Sequence, residues 1–354
     1  DHKSSLSVLQ TNINTLLDSE ICLGDKKIGE SHPAFIVAEA ACNHMCDLAL
    51  ARQLIDFAVQ AGADAIKFQT YRAERLVRQD AKSYWQGTQI SQLEYYRKLD
   101  RFGPAEYKEI FDYARGKKII AFSTPFDVES ASMLQDLGAP IFKIASCDLL
   151  DTRLLRHVGG FGNPIILSTG GSTFEEVDWA IATLLDAGVR QLVVLACMLS
   201  YPTPFGEANL LRIRSLRQRY PGLIIGHSDH TEPDPNMIIP SVAVGLGAKV
   251  VEKHYTLDRT LTGSGHFFSV NPDDLGKMVF NIRLAESLMG DPSLGTALSE
   301  ETARQNARRS LVAERRILKG EVVSSSMVGL KRPADGLPAW MINQIIGKRM
   351  NRDI

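Results

Sequence analysis

The chain has 354 residues, 44% of them hydrophobic, enough for a large core and more than one domain. Its formal net charge is −1, so no electrostatic footprint points to nucleic acid or to a membrane surface, although a local anion site is compatible with that balance. No apolar stretch approaches the ~20 residues that span a bilayer, and the polar start Asp1-His2-Lys3-Ser4-Ser5 lacks the apolar region of a secretory signal.

Residues 1–33 form an extension in which Ile21-Cys22-Leu23 and Lys26-Lys27-Ile28 flank Gly24-Asp25, a hairpin signal. Eight short apolar runs follow: Phe35–Glu39, Ala65–Lys67, Ile119–Thr124, Ile141–Ser146, Ile165–Ser168, Leu192–Cys197, Leu223–Gly226 leading to Ser228-Asp229-His230, and Val250–His254. Runs without polar alternation describe strands buried on both faces. Eight of them separated by helices predict an α/β fold, a (β/α)8 TIM barrel over residues 34–290, close to the ~250 residues typical of that architecture. The hairpin is expected to plug its bottom.

Helix signals fit this reading. Asp47 is placed to cap a helix with a Leu54, Ile55, Ala58 and Val59 stripe that ends at Gly62. Ser172 or Thr173 opens another, and Asp273 or Asp274 a last one running through Met278, Ile282, Leu284 and Leu288 to Gly290. The connection between Gln69 and Pro104 is long and rich in aromatics, among them Tyr71, Tyr84, Trp85, Tyr95, Tyr96 and Phe102, and reads as a lid or as a packing insertion. Residues 291–354 begin as a linker. A charged helix over 300–309 and strands at Ser310–Ala313 and Glu321–Val323 then form a small second module, and its end at Ile354 suggests that a final strand pair is missing.

Each barrel run ends in a residue that can do chemistry, and active sites of such barrels sit at the C-terminal strand ends. His230 and His254 end consecutive strands, which predicts a shared divalent metal with open positions, and the flanking Asp229 and Glu252 could orient the rings. Lys67 and Lys143 end strands two and four. A buried lysine needs an anion or a lowered pKa. One of the two could form a Schiff base, or both could bind phosphate or carboxylate with Thr124, Ser146, Ser168 and Ser228, or Lys67 could pair with Glu39. Glu39 can hold a metal-bound water, orient a sugar hydroxyl or act as a base, and Asp148 is a similar candidate. The five cysteines, Cys22, Cys42, Cys46, Cys147 and Cys197, read as free thiols of a reducing cytoplasm. Cys42-x₃-Cys46 beside His44 has no second ligand pair to complete a zinc site.

In this order, Ile36-Val37-Ala38-Glu39-Ala40-Ala41-Cys42-Asn43-His44, Ala65-Ile66-Lys67-Phe68-Gln69-Thr70, Ser123-Thr124-Pro125-Phe126-Asp127, Lys143-Ile144-Ala145-Ser146, Tyr201-Pro202-Thr203-Pro204, Ser228-Asp229-His230-Thr231 and Glu252-Lys253-His254-Tyr255-Thr256 resemble the NeuB-type sialic acid (nonulosonic acid) synthases. The segment from Arg309-Ser310-Leu311 to Gly336-Leu337-Pro338 resembles the antifreeze-like (SAF, β-clip) domain of that family. The resemblance implies condensation of phosphoenolpyruvate with an N-acyl amino sugar: N-acetylmannosamine, its 6-phosphate or a diacetamido-dideoxyhexose. It implies manganese, or magnesium or cobalt, on His230 and His254. Phosphoenolpyruvate would lie on Lys67, Thr124, Lys143, Ser146, Ser168 and Ser228, while Glu39, Asp148 and Tyr201 would face the acceptor and the metal-bound water. It also implies a homodimer in which the SAF domain carries Arg332 to the partner's sugar site. Three positions depart from the family's pattern. Leu199 replaces a polar donor, Gly265 replaces an aspartate that contacts the sugar, with His266 beside it as a possible contact, and Asp148 replaces a glutamate. A lysine Schiff-base pyruvate aldolase and a non-catalytic sugar-binding homologue are the alternative readings.

Overall fold

The computed structural model describes residues 2–84 and 90–354, so Trp85 of the long connection lies outside the described residues. The chain divides into two compact units, Asp1–Gly290 and Asp291–Ile354. In the first, β1 (Glu20–Leu23) and β2 (Lys26–Gly29) form an antiparallel hairpin. The eight runs become β3 (Phe35–Ala41), β4 (Ala65–Thr70), β5 (Ile120–Pro125), β6 (Phe142–Ile144), β7 (Ile165–Ser168), β8 (Leu192–Cys197), β9 (Ile224–Asp229) and β10 (Val250–His254). All pair in parallel, and β10 closes the barrel against β3, with His254 opposite Glu39. β6 is short because Ser146–Asp148 turns at once into a 3-10 helix.

Two apolar layers follow from the two-residue period of a strand. Phe35, Val37, Ala65, Phe122, Ile141, Ile166, Val193, Leu195, Ile224 and Val250 fill the barrel, and Ile21, Leu23 and Ile28 of the hairpin pack onto them, closing the bottom. Their sequence neighbours, such as Ile36, Ile66, Leu167, Val194 and Val251, face the helices. Asp64 ties this end together: one oxygen is 2.9 Å from Lys26 of the hairpin, and the other accepts from Ile36 N at 2.9 Å and from Arg283 at 3.1 Å.

The helix over Leu48–Ala61 begins at Asp47, whose carboxylate accepts from Ala49 N and Leu50 N, and ends at Gly62 in the left-handed region at φ 82°. It buries Ala51, Leu54, Ile55 and Ala58, whereas Val59, expected in the stripe, is exposed. Thr173 caps Phe174–Asp186 as expected. The last helix, Pro272–Met289, is capped by Asn271 rather than by Asp273 or Asp274, since the Asn271 side chain accepts from Asp274 N. Leu284 and Leu288 of this helix are exposed, so its buried side is carried by Leu275, Met278, Val279 and Ile282. A helix not anticipated from the sequence covers His2–Leu16 and buries Leu9 and Ile13, four residues apart.

The connection after β4 contains the short helices Ala73–Leu76 and Gln92–Arg97. Its Tyr71 and Leu99 cluster with Cys42, Tyr95, Tyr96 and Phe126, which is the packing-insertion reading for the described residues. Cys42 and Cys46 turn to different partners: Cys42 Sγ is 3.5 Å from the Tyr71 hydroxyl and Cys46 Sγ donates to Leu99 O at 3.2 Å.

In the second unit a helix over Glu301–Ala307 precedes β11 (Ser310–Ala313), which pairs antiparallel with β12 (Val328–Lys331). Glu321–Val323, expected as a strand, is not a full strand but lies along residues 347–350: Val322 bridges Arg349, Val323 N donates to Lys348 O at 2.9 Å and Met350 N to Glu321 O at 2.9 Å. Ile317 and Val323 are buried. Among the described residues no helix is long and apolar enough to cross a membrane.

Gly226 sits on β9 where the barrel wall is tightest. A Cβ there would lie 2.5 Å from Leu195 Cδ2 and 2.6 Å from the Val250 carbonyl oxygen. Gly226→Ala should therefore destabilise the fold by about 1–3 kcal/mol through overpacking, read from the midpoint of denaturant unfolding. An unchanged midpoint would mean that the wall yields without cost.

Candidate active site

The inward register that fills the barrel with apolar side chains continues upward into chemistry. Phe35 and Val37 lead to Glu39, Ala65 to Lys67 and Gln69, Phe122 to Thr124, Ile141 to Lys143, Ile166 to Ser168, Leu195 to Cys197, Ile224 to Ser228, and Val250 to Glu252 and His254. Glu39, Lys67, Thr124, Lys143, Ser168, Ser228, Glu252, His230 and His254 are all buried. The mouth of the barrel is thus a polar ring on an apolar plug.

At its centre four charges meet. Lys67 Nζ lies 2.8 Å from Glu39 Oε2 and donates to Thr124 Oγ1 at 2.9 Å. Gln69 Nε2 donates to the other Glu39 oxygen at 3.0 Å. The Glu39–Lys67 pair weighed from the sequence is therefore present. Glu252 Oε1 is 3.7 Å from Lys67 Nζ and 3.7 Å from Lys143 Nζ, and accepts from Ser228 Oγ at 3.1 Å. Burial pushes the Glu252 carboxyl upward, but Lys143 and Lys67 outweigh it and hold it below the usual range. Burial raises Glu39, partly opposed by Lys67, and lowers Lys143, partly opposed by Glu252.

His230 and His254 stand beside this cluster with ring centroids 5.3 Å apart. His230 Nδ1 donates to Met198 O at 2.6 Å, which fixes the tautomer and leaves Nε2 as the free nitrogen, 3.5 Å from Ser228 Oγ. The buried Nδ1 of His254 has no hydrogen-bond partner among the described residues. Burial, with His230 and the lysines nearby, holds His254 well below the ordinary imidazole range, so the ring is neutral and keeps a lone pair to give. Burial also opposes charge on His230, but the adjacent Cys197 and the Met198 carbonyl draw its pKa up. Two imidazoles at this separation, each with a nitrogen not committed to the backbone, suit one divalent ion. Among the described residues no cluster of three or more His, Cys, Asp or Glu has the geometry to hold a metal, so the fit rests on the two rings.

Tyr201 covers both rings, 4.2 Å from His230 and 6.0 Å from His254 between centroids, and remains 37% exposed, so it faces the entrance. Ser146 Oγ accepts from Gly170 N at 2.9 Å, and Ser168 Oγ is buried without a partner among the described residues. Asp148 follows Ser146 on the 3-10 turn, with Oδ2 likewise unpartnered. Burial, then the charge of Asp151, lifts its carboxyl to about 7. Leu199 is 45% exposed and lies over Gly171.

Several expectations need correcting. Asp229 does not orient His230: it has the opposite register, faces the helices, and is bonded to Lys253 at 2.8 Å and to Thr231. Glu252 serves the lysines, and the Met198 carbonyl takes the orienting role. His266, expected at the sugar, is fully buried with Nδ1 2.7 Å from Thr256 Oγ1, so it braces the loop after β10 instead of lining the entrance. Gln69 joins the site unforeseen, beside Cys197, the strand end that contacts His230. The signal for Glu252 and Gln69 was available: each is an even number of residues beyond an inward apolar side chain.

A closed parallel barrel with basic, acidic and imidazole side chains converging at its C-terminal mouth has the build of a barrel enzyme, whose active site lies at that end. The family model "NeuB family" matches residues 54–293 and the model "SAF domain" matches residues 308–354. An N,N'-diacetyllegionaminic acid synthase of Campylobacter jejuni is 38% identical over 320 residues, covering 88% of this chain and 94% of that protein. The spore coat polysaccharide biosynthesis protein SpsE of Bacillus subtilis is 36% identical, covering 94% of this chain and 93% of that protein. The crystal structure of an N-acetylneuraminic acid synthetase from Leptospira borgpetersenii, in complex with citrate, superposes with a TM-score of 0.73 at 36% identity, covering 82% of this chain and 96% of that one. The chain belongs to the NeuB family, and its second unit is an SAF domain.

The placement of Asp148 carries a stability consequence. Its folded-state pKa of about 7 exceeds the ordinary 3.8, so the folded chain holds the proton more tightly than the unfolded one. This contribution is present below about pH 4 and is lost as pH rises to about 7. Asp148→Asn, which cannot ionise, should gain on the wild type across that window and level off above it, by on the order of 2 kcal/mol given the partial exposure of the site. Denaturant unfolding at several pH values would read this, and a pH-independent difference would contradict it.

Proposed function

We propose that this chain is a nonulosonic acid synthase that condenses phosphoenolpyruvate with an open-chain N-acyl amino sugar, giving a nine-carbon α-keto acid and phosphate. The observation that carries the proposal is the pair of buried amines, Lys67 and Lys143, beside the His230–His254 pair in one barrel mouth. Lys67, Lys143, Thr124, Ser146, Ser168 and Ser228 would hold the phosphate and carboxylate of phosphoenolpyruvate. Charged and neutral donors in a dry cavity suit such oxygens. Fixing both reactants in line can supply roughly 7–11 kcal/mol of the barrier.

His230 and His254 would hold a divalent cation, manganese by family resemblance, although magnesium or cobalt accept the same donors. When bound, such an ion supplies Lewis-acid polarisation of the sugar aldehyde. Charge balance favours this reading. The two lysines are offset by Glu39 and Glu252, and phosphoenolpyruvate adds roughly two to three negative charges, so a buried pocket without further positive charge would be strongly unfavourable.

Carbon 3 of the enol attacks the aldehyde carbon, and the cationic carbon 2 takes water. The tetrahedral species then loses phosphate by C–O cleavage. Glu39 would accept a proton from the water, and Asp148, whose carboxyl burial lifts to about 7, would give one to the new hydroxyl. Tyr201 would close over the acceptor. A diacetamido-dideoxyhexose of the legionaminic type is the acceptor we favour, supported by the Campylobacter relative's name and by the small Gly265 where an aspartate contact to the sugar would be expected.

One observation favours a second reading. Burial depresses the pKa of Lys143, as a Schiff-base lysine requires, and a pyruvate aldolase would use it so. A single assay separates the two. Purified protein with phosphoenolpyruvate, manganese and a panel of N-acyl sugars should release phosphate and yield a keto acid identified by mass. His254→Ala should abolish that release and lower metal occupancy, and borohydride added with pyruvate in place of phosphoenolpyruvate should trap nothing on Lys67 or Lys143. Chelator-insensitive turnover with a trapped lysine would establish the aldolase, whereas sugar binding without phosphate release would establish a binding protein.

The SAF domain is proposed to deliver Arg332 to the acceptor site of a partner subunit in a homodimer. Arg332→Ala should then raise the acceptor KM at least about tenfold, the scale of one charge-assisted contact, with a smaller effect on phosphoenolpyruvate. Equal losses for both substrates would argue against that contact.

A further inference from the structure

Glu252 stands apart from the other acid in the mouth. Glu39 is in direct contact with one lysine at 2.8 Å, a committed ion pair. Glu252 instead places one oxygen 3.7 Å from each of two amines, beyond hydrogen-bond reach of both. Ser228 holds that oxygen at 3.1 Å, and the other oxygen is buried without a partner among the described residues. The strand gives this residue no freedom to choose: it is inward on β10, two residues above Val250, opposite Ser228 in register.

Two amines brought to one carboxylate repel each other when both carry charge. A carboxylate equidistant from both offsets that repulsion without occupying the N–H donors of either. We infer that Glu252 is a positioning residue that holds Lys67 and Lys143 side by side, so that one multiply charged anion can take both amines at once. The inference rests on the phosphoenolpyruvate reading for the identity of the anion, and it adds a residue that neither the strand-end pattern nor the histidine pair assigns. A carboxylate near an anion site could act in the opposite sense, as a repulsive gate, and the two roles predict opposite changes.

The test is calorimetric binding of phosphoenolpyruvate to the full chain, without acceptor, for the wild type, Glu252→Gln and Glu252→Asp, alongside melting temperature and acceptor KM. The expected result is a loss of at least about tenfold in affinity for Glu252→Gln, the scale of one charge-assisted contact, with melting temperature and acceptor KM held and with Glu252→Asp between the two, at least about threefold weaker than the wild type. Equal or tighter binding by Glu252→Gln overturns the inference and makes Glu252 a gate. If Glu252→Gln does not fold, Glu252→Asp decides: affinity at least about threefold weaker at an unchanged melting temperature supports the role, and unchanged affinity overturns it. A wild type that binds phosphoenolpyruvate but releases no phosphate with any acceptor removes the synthase reading alone, and one that binds none removes both.

Discussion

The two-residue alternation of a closed parallel barrel is the constraint on which the rest of the structure depends. A strand in such a barrel has no solvent face, so every second side chain must enter the barrel and the others must meet the helices. Lower down, the inward set is Phe35, Val37, Phe122, Ile141, Val193 and their neighbours, closed from beneath by Ile21, Leu23 and Ile28. Without that plug water would enter from below, and the charges above would lose the low-dielectric surroundings that make them interact strongly. The N-terminal hairpin is therefore part of the chemistry, although it contributes no reactive group.

Burying four charged side chains within a few ångströms is costly unless each is paired and hydrogen-bonded. Glu39, Lys67, Lys143 and Glu252 satisfy one another incompletely, leaving unpartnered oxygens and amines with donors to spare. In a purely structural cluster this would be a defect, and an apolar core would serve the fold better. The unspent hydrogen-bonding capacity is what a charged substrate can use. The contrast with Asp229 and Lys253 is instructive: that pair, one register step away and facing the helices, is bonded at 2.8 Å and further satisfied by Thr231.

The chain belongs to the NeuB family, several of whose members similar to it are named as synthases of legionaminic, pseudaminic or neuraminic acids. Leu199 and Gly265 stand on loops that follow β8 and β10, while the two lysines and His254 stand on strands. In barrel enzymes the scaffold holds the reacting groups while the loops select the partner.

Much of this was legible in the one-dimensional pattern. Apolar runs of four to eight residues identify buried strands because no other short element excludes polar residues so completely, and their count and spacing point to the barrel, the hairpin and the second module. Caps such as Asp47 and Thr173 were readable because a side-chain oxygen next to an apolar stripe has few other uses, while Asn271 was passed over for its acidic neighbours. Residue chemistry likewise marked the lysines and the histidine pair. The sequence by itself determined which residues are inward, since parity along a strand is a local property. Only the tertiary structure decided distances across the barrel: that Glu252 lies equally far from two lysines on other strands, that Met198 rather than Asp229 orients His230, and that His266 is buried in its loop. Those relations depend on how eight strands tilt and stagger around a common axis, and no spacing within one segment records that geometry.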